Sequence, residues 1–180
     1  MSREDTIAAI ERFTDFDIDE DDDLAIAREV VASFEDIRRD PAAHQRAVRF
    51  LCACVKRYVW TWKSLGCESD SPVASVDAVQ HWLDSGEFMD GFDRLCWPVA
   101  PVRNGEPVVD CDEPALSDLS NASSRLAYFC VTRSSTDAAA ILVSLFWADA
   151  EGLQPQDGEG FFDWLIATGV PIAWSNEKSG

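Results

Sequence analysis

Basic residues are scarce in this sequence, and lysine is the scarcest of them. The 180 residues include 33 acidic and 15 basic residues, of which only three are lysines, so the formal net charge is -18 at pH 7. A negative field of this size repels nucleic acids and anionic membranes and attracts basic proteins. We therefore expect no direct nucleic-acid binding and no membrane binding. Solubility or adaptation to salt is the alternative explanation of the charge.

Long hydrophobic runs are also missing. The longest nearly pure apolar run, residues 138–150, is interrupted by Ser144 and Asp149 and falls short of the roughly 20 residues that span a bilayer. The N-terminus, MSREDTIAAIERF, is acidic and has no long apolar segment followed by a cleavage site, so no signal peptide is visible. These patterns predict a cytoplasmic protein.

Motifs for catalysis, cofactors and metals are not found. The sequence contains no GxSxG, Walker loop, GxGxxG or HExxH. Its two histidines and six cysteines, none of them in a CxxC pair, lack the short spacings of a zinc site, and we expect the cysteines to be buried free thiols. We predict no catalytic residue, no cofactor and no metal, and an enzyme ranks third among the functions considered.

One stretch, residues 41–66, dominates what is present. Asp40 suits a helix N-cap, Pro41 suits the first helical position, and Gly66 suits a left-handed residue just past the C-terminus. One face of the predicted helix is apolar and should point to the core. Its members are Val48, Leu51, Val55, Tyr58, Trp62 and Leu65, widened by Phe50 and Cys54.

The opposite face of this helix is basic and carries one tryptophan. Residues 41–65 hold five of the fifteen basic residues and no acidic residue. Trp60 lies between Lys56 and Lys63 at helical spacings of four and three. Either the acidic second helix or the C-terminal part of the chain packs over Trp60, or Trp60 is exposed among basic neighbours, which is a composition typical of interface hot spots.

The remaining patterns predict helices at about 2–13, 22–39, 71–85, 87–96, 115–133, 136–151 and 161–168. A proline-rich stretch with Asn104-Gly105 between valine-rich flanks predicts a surface loop or a small ribbon, and it is the most loop-like candidate for a binding element. The expected fold is therefore all-α: one domain over residues 1–180, a bundle of about seven to eight helices. It has at most one small β-ribbon near residues 99–109 and a short frayed tail at 175–180.

The acidic run from Asp15 to Asp23 has two interpretations. It does not fit a calcium loop, because Glu20 stands where glycine is required and Ile26 where a bidentate glutamate is required. The run can complement the dipole of the helix that follows. It can also contribute to partner binding, through Asp19, Asp21, Asp22 and Asp23.

Residues 47–88 read AVRFLCACVKRYVWTWKSLGCESDSPVASVDAVQHWLDSGEF. A helix with an alanine-cysteine centre and an aromatic end is followed by a polar linker with Asp-x-Pro, by a second helix with Ala-x-x-x-Trp, and by Ser-Gly. This layout resembles the all-helical immunity proteins of bacterial polymorphic-toxin systems. The resemblance implies a cytoplasmic inhibitor that binds and blocks a toxin, often by charge complementarity.

The leading hypothesis is an acidic helical protein-binding module, of the toxin-neutralising kind, with a basic protein partner. The alternative is a non-enzymatic structural or accessory component of a bacterial secretion or regulatory assembly. Candidate partner-binding residues are Trp60, Lys56, Lys63, Asp19, Asp21, Asp22, Asp23 and Asn104. Self-association is left open.

Overall fold

A computed structural model describes residues 2–14, 22–68, 71–104, 106–107, 114–155 and 157–175. Over these residues the chain is an all-α bundle with one two-stranded ribbon, as the sequence predicts. The longer helices are α1 (Arg3–Thr14), α2 (Asp23–Ala32), α3 (Pro41–Ser64), α4 (Ser71–Ser85), α5 (Pro114–Thr132) and α6 (Ser135–Ala150). A 3₁₀ helix (Phe92–Cys96) precedes the ribbon, and α7 (Phe161–Trp164), a π-helical turn (Leu165–Gly169) and α8 (Val170–Trp174) end the described chain.

The boundaries of α3 follow the predicted residues closely. The Asp40 carboxylate accepts a hydrogen bond from the Ala42 backbone N–H at 2.9 Å, and Gly66 has a φ of 75°, a left-handed conformation that favours glycine. Seven of the eight predicted core residues of α3 are buried. The exception, Leu65, is exposed because it lies just past the end of the helix and no longer follows its periodicity.

The helices share one core, and α3 packs against α4, α5, α6 and α8. Helix α5 packs against α4, α6 and α3, and α2 packs against α6 and α1. The apolar run in α6 supplies Ile141, Leu142 and Leu145 to this core, all fully buried. No described helix combines the length and the apolar character needed to cross a membrane.

The second helix ends earlier than predicted. We expected a helix to about Arg39, but α2 ends at Ala32 and Glu35 has a φ of 74°. The Ser33 hydroxyl donates to the backbone oxygen of Val30 and lies 2.8 Å from the hydroxyl of Thr6 in α1. A tertiary contact therefore fixes the chain reversal here, although Phe34 and Ile37 remain buried as expected.

Two other helix boundaries differ from the prediction. The fifth helix is shorter, because only Phe92–Cys96 is helical and it is 3₁₀. The last helix does not stop at Gly169 but continues to Trp174. Gly169 has helical dihedrals, and a Cβ there would lie 3.1 Å from the rings of Phe50 and Trp164. This glycine permits close packing of the C-terminal helix on α3 instead of ending the helix.

The ribbon is small, as predicted. Val102–Arg103 pairs antiparallel with Glu106–Pro107. The Val102 carbonyl accepts a hydrogen bond from the Glu68 N–H at 2.8 Å, which ties the ribbon to the loop after α3.

Cys52, Cys54 and Cys130 are buried free thiols, as expected, whereas Cys67 and Cys96 are only partly buried. Cys111 and the predicted tail at 176–180 lie outside the described residues.

Candidate functional site

Trp60 is half exposed, with 50% of its surface accessible. It lines a shallow cavity of about 650 Å³ together with Lys56, which is exposed; the other lining residues are Ala53, Arg57, Asp157, Trp164 and Ile172. Lys63 is exposed and does not line this cavity. We call Trp60, Lys56 and Lys63 the Trp60 patch. The expectation of an exposed tryptophan with basic neighbours is the one that the structure supports.

The basic face of α3 is not uniformly exposed. The side chain of Arg57 is only 3% accessible, and its Nε and Nη2 atoms donate to the Asp157 carboxylate at 3.1 and 2.8 Å. Arg57 Nη2 also donates to the Glu159 carbonyl, and the guanidinium lies 5.1 Å from the Trp164 ring centroid. Helical spacing places Arg57 on the basic face, but the loop after α6 folds over it.

The C-terminal helix covers the N-terminal half of the same face. Arg49 donates to the Ala173 carbonyl at 3.0 Å, and the Arg46 guanidinium lies 5.7 Å from the Trp174 ring centroid. Arg46 also pairs with Glu35 at 3.2 Å. The C-terminal part of the chain therefore packs on the N-terminal half of this face but leaves Trp60 half exposed, so the expectation that it buries Trp60 is wrong. Helix α2 itself packs on α6 and α1 and does not cover Trp60, but Glu35, which lies in the predicted span 22–39 of the second helix, meets the basic face at Arg46.

The predicted acidic and loop residues lie elsewhere. Asp22 is exposed and caps α2 by accepting a hydrogen bond from the Ala25 N–H at 3.1 Å. Asp23 accepts from Trp147 Nε1 at 3.1 Å, which fastens α2 to α6. Both have structural partners, in accord with the interpretation that the acidic run serves α2. Asn104 is exposed in the ribbon turn with a φ of 54°. Asp19 and Asp21 lie outside the described residues.

The most pronounced surface feature is an apolar cleft between residues 88–98 and α5. Six of the eight exposed large hydrophobic residues in the described chain belong to these two segments or adjoin them: Phe88, Met89, Trp97, Val99, Tyr128 and Val131. Trp97 is the most exposed of all, at 73%. The cleft has a volume of about 700 Å³ and is lined by Phe88, Phe92, Asp93, Cys96, Trp97, Pro98, Asn121, Ser124, Arg125, Tyr128, Val131 and Asp137.

The wall of the cleft is anchored at both ends. At one end, Phe88 stacks on Trp82 of α4 with a ring separation of 5.9 Å, and Phe92 lies 4.7 Å from Phe88. At the other end, the Ser120 hydroxyl of α5 donates to the Val99 carbonyl at 2.7 Å. Both ends of this wall are thus fixed before any partner arrives, which lowers the entropic cost of binding.

Two acidic residues, Asp93 and Asp137, line the cleft, and further exposed acidic residues adjoin it in the sequence. Asp84, Glu87, Asp90 and Asp93 are all exposed along residues 84–93, and Arg94 follows them. On the opposite side, Arg125 forms an ion pair with Asp137 at 3.1 Å, so its charge is locally compensated. The cleft is an apolar centre with a net negative rim, and apolar centres with polar rims are typical of protein-binding surfaces.

The cleft has no activated nucleophile or base among its described residues. Burial and the nearby Asp93 raise the pKa of the Cys96 thiol, so it stays protonated. The neighbouring His44 is buried behind Trp82, 3.2 Å from the Phe129 carbonyl, and burial lowers its pKa to about 4. Within the described residues, no cluster of His, Cys, Asp and Glu could hold a metal ion.

Sequence reasoning did not identify the cleft, although part of its signal is in the sequence. The predicted core face of α5, from Leu116 to Cys130, is buried. Beside it, Asn121, Ser124, Tyr128 and Val131 are spaced by three, four and three and form a second stripe with two large apolar residues. Trp97 lies between the predicted helix at 87–96 and Pro98, and only the fold places it opposite that stripe.

The comparisons give no family assignment. No protein-family model, curated protein sequence or solved structure matches the chain.

Proposed function

We propose that this protein is a non-catalytic binding module that neutralises a basic protein partner, in the manner of a toxin-immunity protein. The acid-rimmed apolar cleft is the single observation that carries the proposal. Its exposed aromatic residues, Trp97 and Tyr128, are of the types that contribute most to binding energy. Its acidic rim would steer a basic partner toward the cleft and disfavour acidic competitors.

The charge of the whole chain supports a basic partner. A net charge of -18 accelerates encounter with a cationic protein at low ionic strength, and the effect weakens as salt shortens the Debye length to about 8 Å. Once the partner has docked, the desolvated apolar contacts in the cleft retain it. We therefore expect salt to change the association rate more than the dissociation rate.

The experiment is a pull-down from lysate of the source organism with three tagged proteins: the wild type, the double variant Trp97→Ala/Tyr128→Ala, and the control Trp60→Ala. We expect one stoichiometric basic protein to bind the wild type and the control and to be lost from the double variant. Expressed alone in a bacterial host, this partner should stop growth, and co-expression of the wild type should restore it. A partner that the double variant retains, or one that is harmless when expressed alone, would refute the proposal.

A second candidate function rests on the Trp60 patch. An exposed tryptophan with two neighbouring lysines, in a protein with only three lysines, could serve as a contact in a structural or accessory assembly. Self-association that persists at high salt and weakens in Trp60→Ala would favour this function over neutralisation of a basic partner.

A further inference from the structure

The cleft has the dimensions of a groove for one helix. Its floor is the α5 stripe from Asn121 to Val131, which extends over about 15 Å at 1.5 Å per residue. Spread over that length, a volume of about 700 Å³ corresponds to a mean cross-section of about 50 Å². A helix with its side chains is about 10–12 Å across, so this cross-section accommodates about half of one helix.

The surroundings of the cleft favour a helix over an extended peptide. The described lining residues belong to α5, α6, the 3₁₀ helix and the adjoining coil, and none belongs to a strand. An extended peptide would find no strand edge here to satisfy its backbone hydrogen bonds. A helix satisfies its own backbone and presents only side chains to Phe88, Trp97 and Tyr128.

Charge distinguishes a basic helix of a partner from a second copy of this chain as the occupant of the cleft. Asp93 lines the cleft, and the exposed Glu87 and Asp90 flank the cleft residue Phe88 in the sequence. A second copy of this chain would place an acidic rim against a surface of net charge -18. Like-charge contacts of this kind oppose docking, whereas lysines and arginines on the flank of the helix would complement the rim.

We propose that the cleft binds one amphipathic, basic helix of about three turns. Its large apolar residues, at positions i, i+3 or i+4, and i+7, would occupy the space between Trp97 and Tyr128. Its lysines or arginines would lie beside Glu87, Asp90 and Asp93. This inference rests on the proposed function and specifies which part of the partner the cleft recognises.

A display selection tests the inference without knowledge of the partner. A library of random 16-residue peptides is selected on the full-length protein, with removal of clones that also bind Trp97→Ala/Tyr128→Ala. Urea unfolding of the double variant first confirms that it folds. Synthetic peptides from the enriched clones are then titrated into the wild type, the charge-reversed variant Glu87→Lys/Asp90→Lys/Asp93→Lys, and the control Leu65→Ala, which removes an exposed apolar side chain outside the cleft.

We expect the enriched clones to be basic and to carry large apolar residues at helical spacing, and the bound peptide to become helical by circular dichroism. Affinity should be unchanged in Leu65→Ala and should fall at least about tenfold in the charge-reversed variant. Acidic, neutral or extended peptide binders would overturn the inference, and so would a selection without enrichment. A wild-type dimer that is absent in Trp97→Ala/Tyr128→Ala would also overturn it, because the cleft would then bind a second copy of the chain. If the peptides fail to bind although a partner captured from lysate binds the wild type and not Trp97→Ala/Tyr128→Ala, that result would refute the helix as the bound element and leave the proposed function standing.

Discussion

Arg57 and Asp157 form a two-point ion pair between residues 100 positions apart in the chain, on the face of α3 that the sequence predicts to be basic. The arginine is almost fully buried, whereas the side chain of Asp157 is 41% accessible. The pair closes the loop between α6 and α7 over α3. The Thr61 hydroxyl fastens the same loop by donating to the Gln154 carbonyl at 2.6 Å.

Asp157→Asn should destabilise the protein by about 2 kcal/mol. The substitution leaves a buried guanidinium without its counter-charge, which typically costs 3–5 kcal/mol, and the partial exposure of Asp157 reduces the effect. Urea unfolding at pH 7 measures the change, with Glu151→Gln, an exposed acid of the same loop, as the control. Equal midpoints for both variants would mean that Arg57 does not depend on Asp157.

Tyr58→Phe should cost about 1–2 kcal/mol of unfolding free energy. The Tyr58 hydroxyl donates to the Asp149 carboxylate at 2.6 Å. Burial of the phenol and, to a smaller extent, the nearby Asp149 carboxylate raise the pKa of Tyr58, so its hydroxyl stays a hydrogen-bond donor at neutral pH. Its removal leaves the half-buried carboxylate with one partner fewer. Tyr128→Phe, at the exposed tyrosine of the cleft, should change stability by less than about 0.5 kcal/mol. A similar loss of unfolding free energy in Tyr58→Phe and Tyr128→Phe would contradict the stabilising role of the Tyr58–Asp149 hydrogen bond.

His44 should make folding sensitive to pH between about 6.5 and 4. Burial lowers its pKa to about 4, so across this range the unfolded chain binds the proton more readily than the folded chain. The stability that neutral His44 contributes is complete above the unfolded pKa and is lost as the pH falls toward 4.

The test compares the wild type with His44→Gln by urea unfolding at pH 7 and at pH 4. Relative to this variant, the wild type should lose about 3 kcal/mol of unfolding free energy between the two pH values. The comparison cancels the protonation of the many carboxylates, which affects both proteins. His81→Gln, at the exposed second histidine, should behave like the wild type. A constant difference between wild type and His44→Gln at the two pH values would refute the account.

Gly169→Ala should destabilise the chain by about 2 kcal/mol, because the added methyl group would lie 3.1 Å from Phe50 and Trp164. Gly160→Ala is the control, since its Cβ meets its nearest neighbour at an ordinary 3.6 Å; it should cost less than about 1 kcal/mol. Phe50→Leu replaces the ring that would clash with the added methyl group by a smaller side chain. The double variant Gly169→Ala/Phe50→Leu should therefore be more stable than the two single effects predict, and strict additivity would argue against the clash.

The predictable part of the fold is local. Asp40, Pro41 and Gly66 mark the boundaries of α3, and the periodicity of α3 and α5 identifies most of their buried residues, because caps and amphipathic spacing act within a few residues. The boundaries that sequence reasoning misplaced depend on distant partners. Helix α2 ends just before Ser33, whose hydroxyl contacts Thr6 of α1. The last helix continues through Gly169, where the absence of a side chain leaves room for the Phe50 ring.

The same division applies to the candidate site. The exposure of Trp60 and Lys56 was one of two expectations, and it depends on how far the C-terminal helix extends over α3. The cleft could not be predicted as a unit, because tertiary contacts bring residues 88–98 and the α5 stripe together: the packing of the 3₁₀ helix on α5 and the contacts of Trp82 and Ser120. No local pattern encodes those contacts.

Hydrogen exchange measured by mass spectrometry on the complex with the captured partner tests the central claim most directly. The account predicts that binding slows exchange in residues 88–98 and 121–131, with little change in residues 53–63. Protection confined to residues 53–63 and the loop at 151–160, with the cleft unchanged, would place the interface at the Trp60 patch and contradict the account.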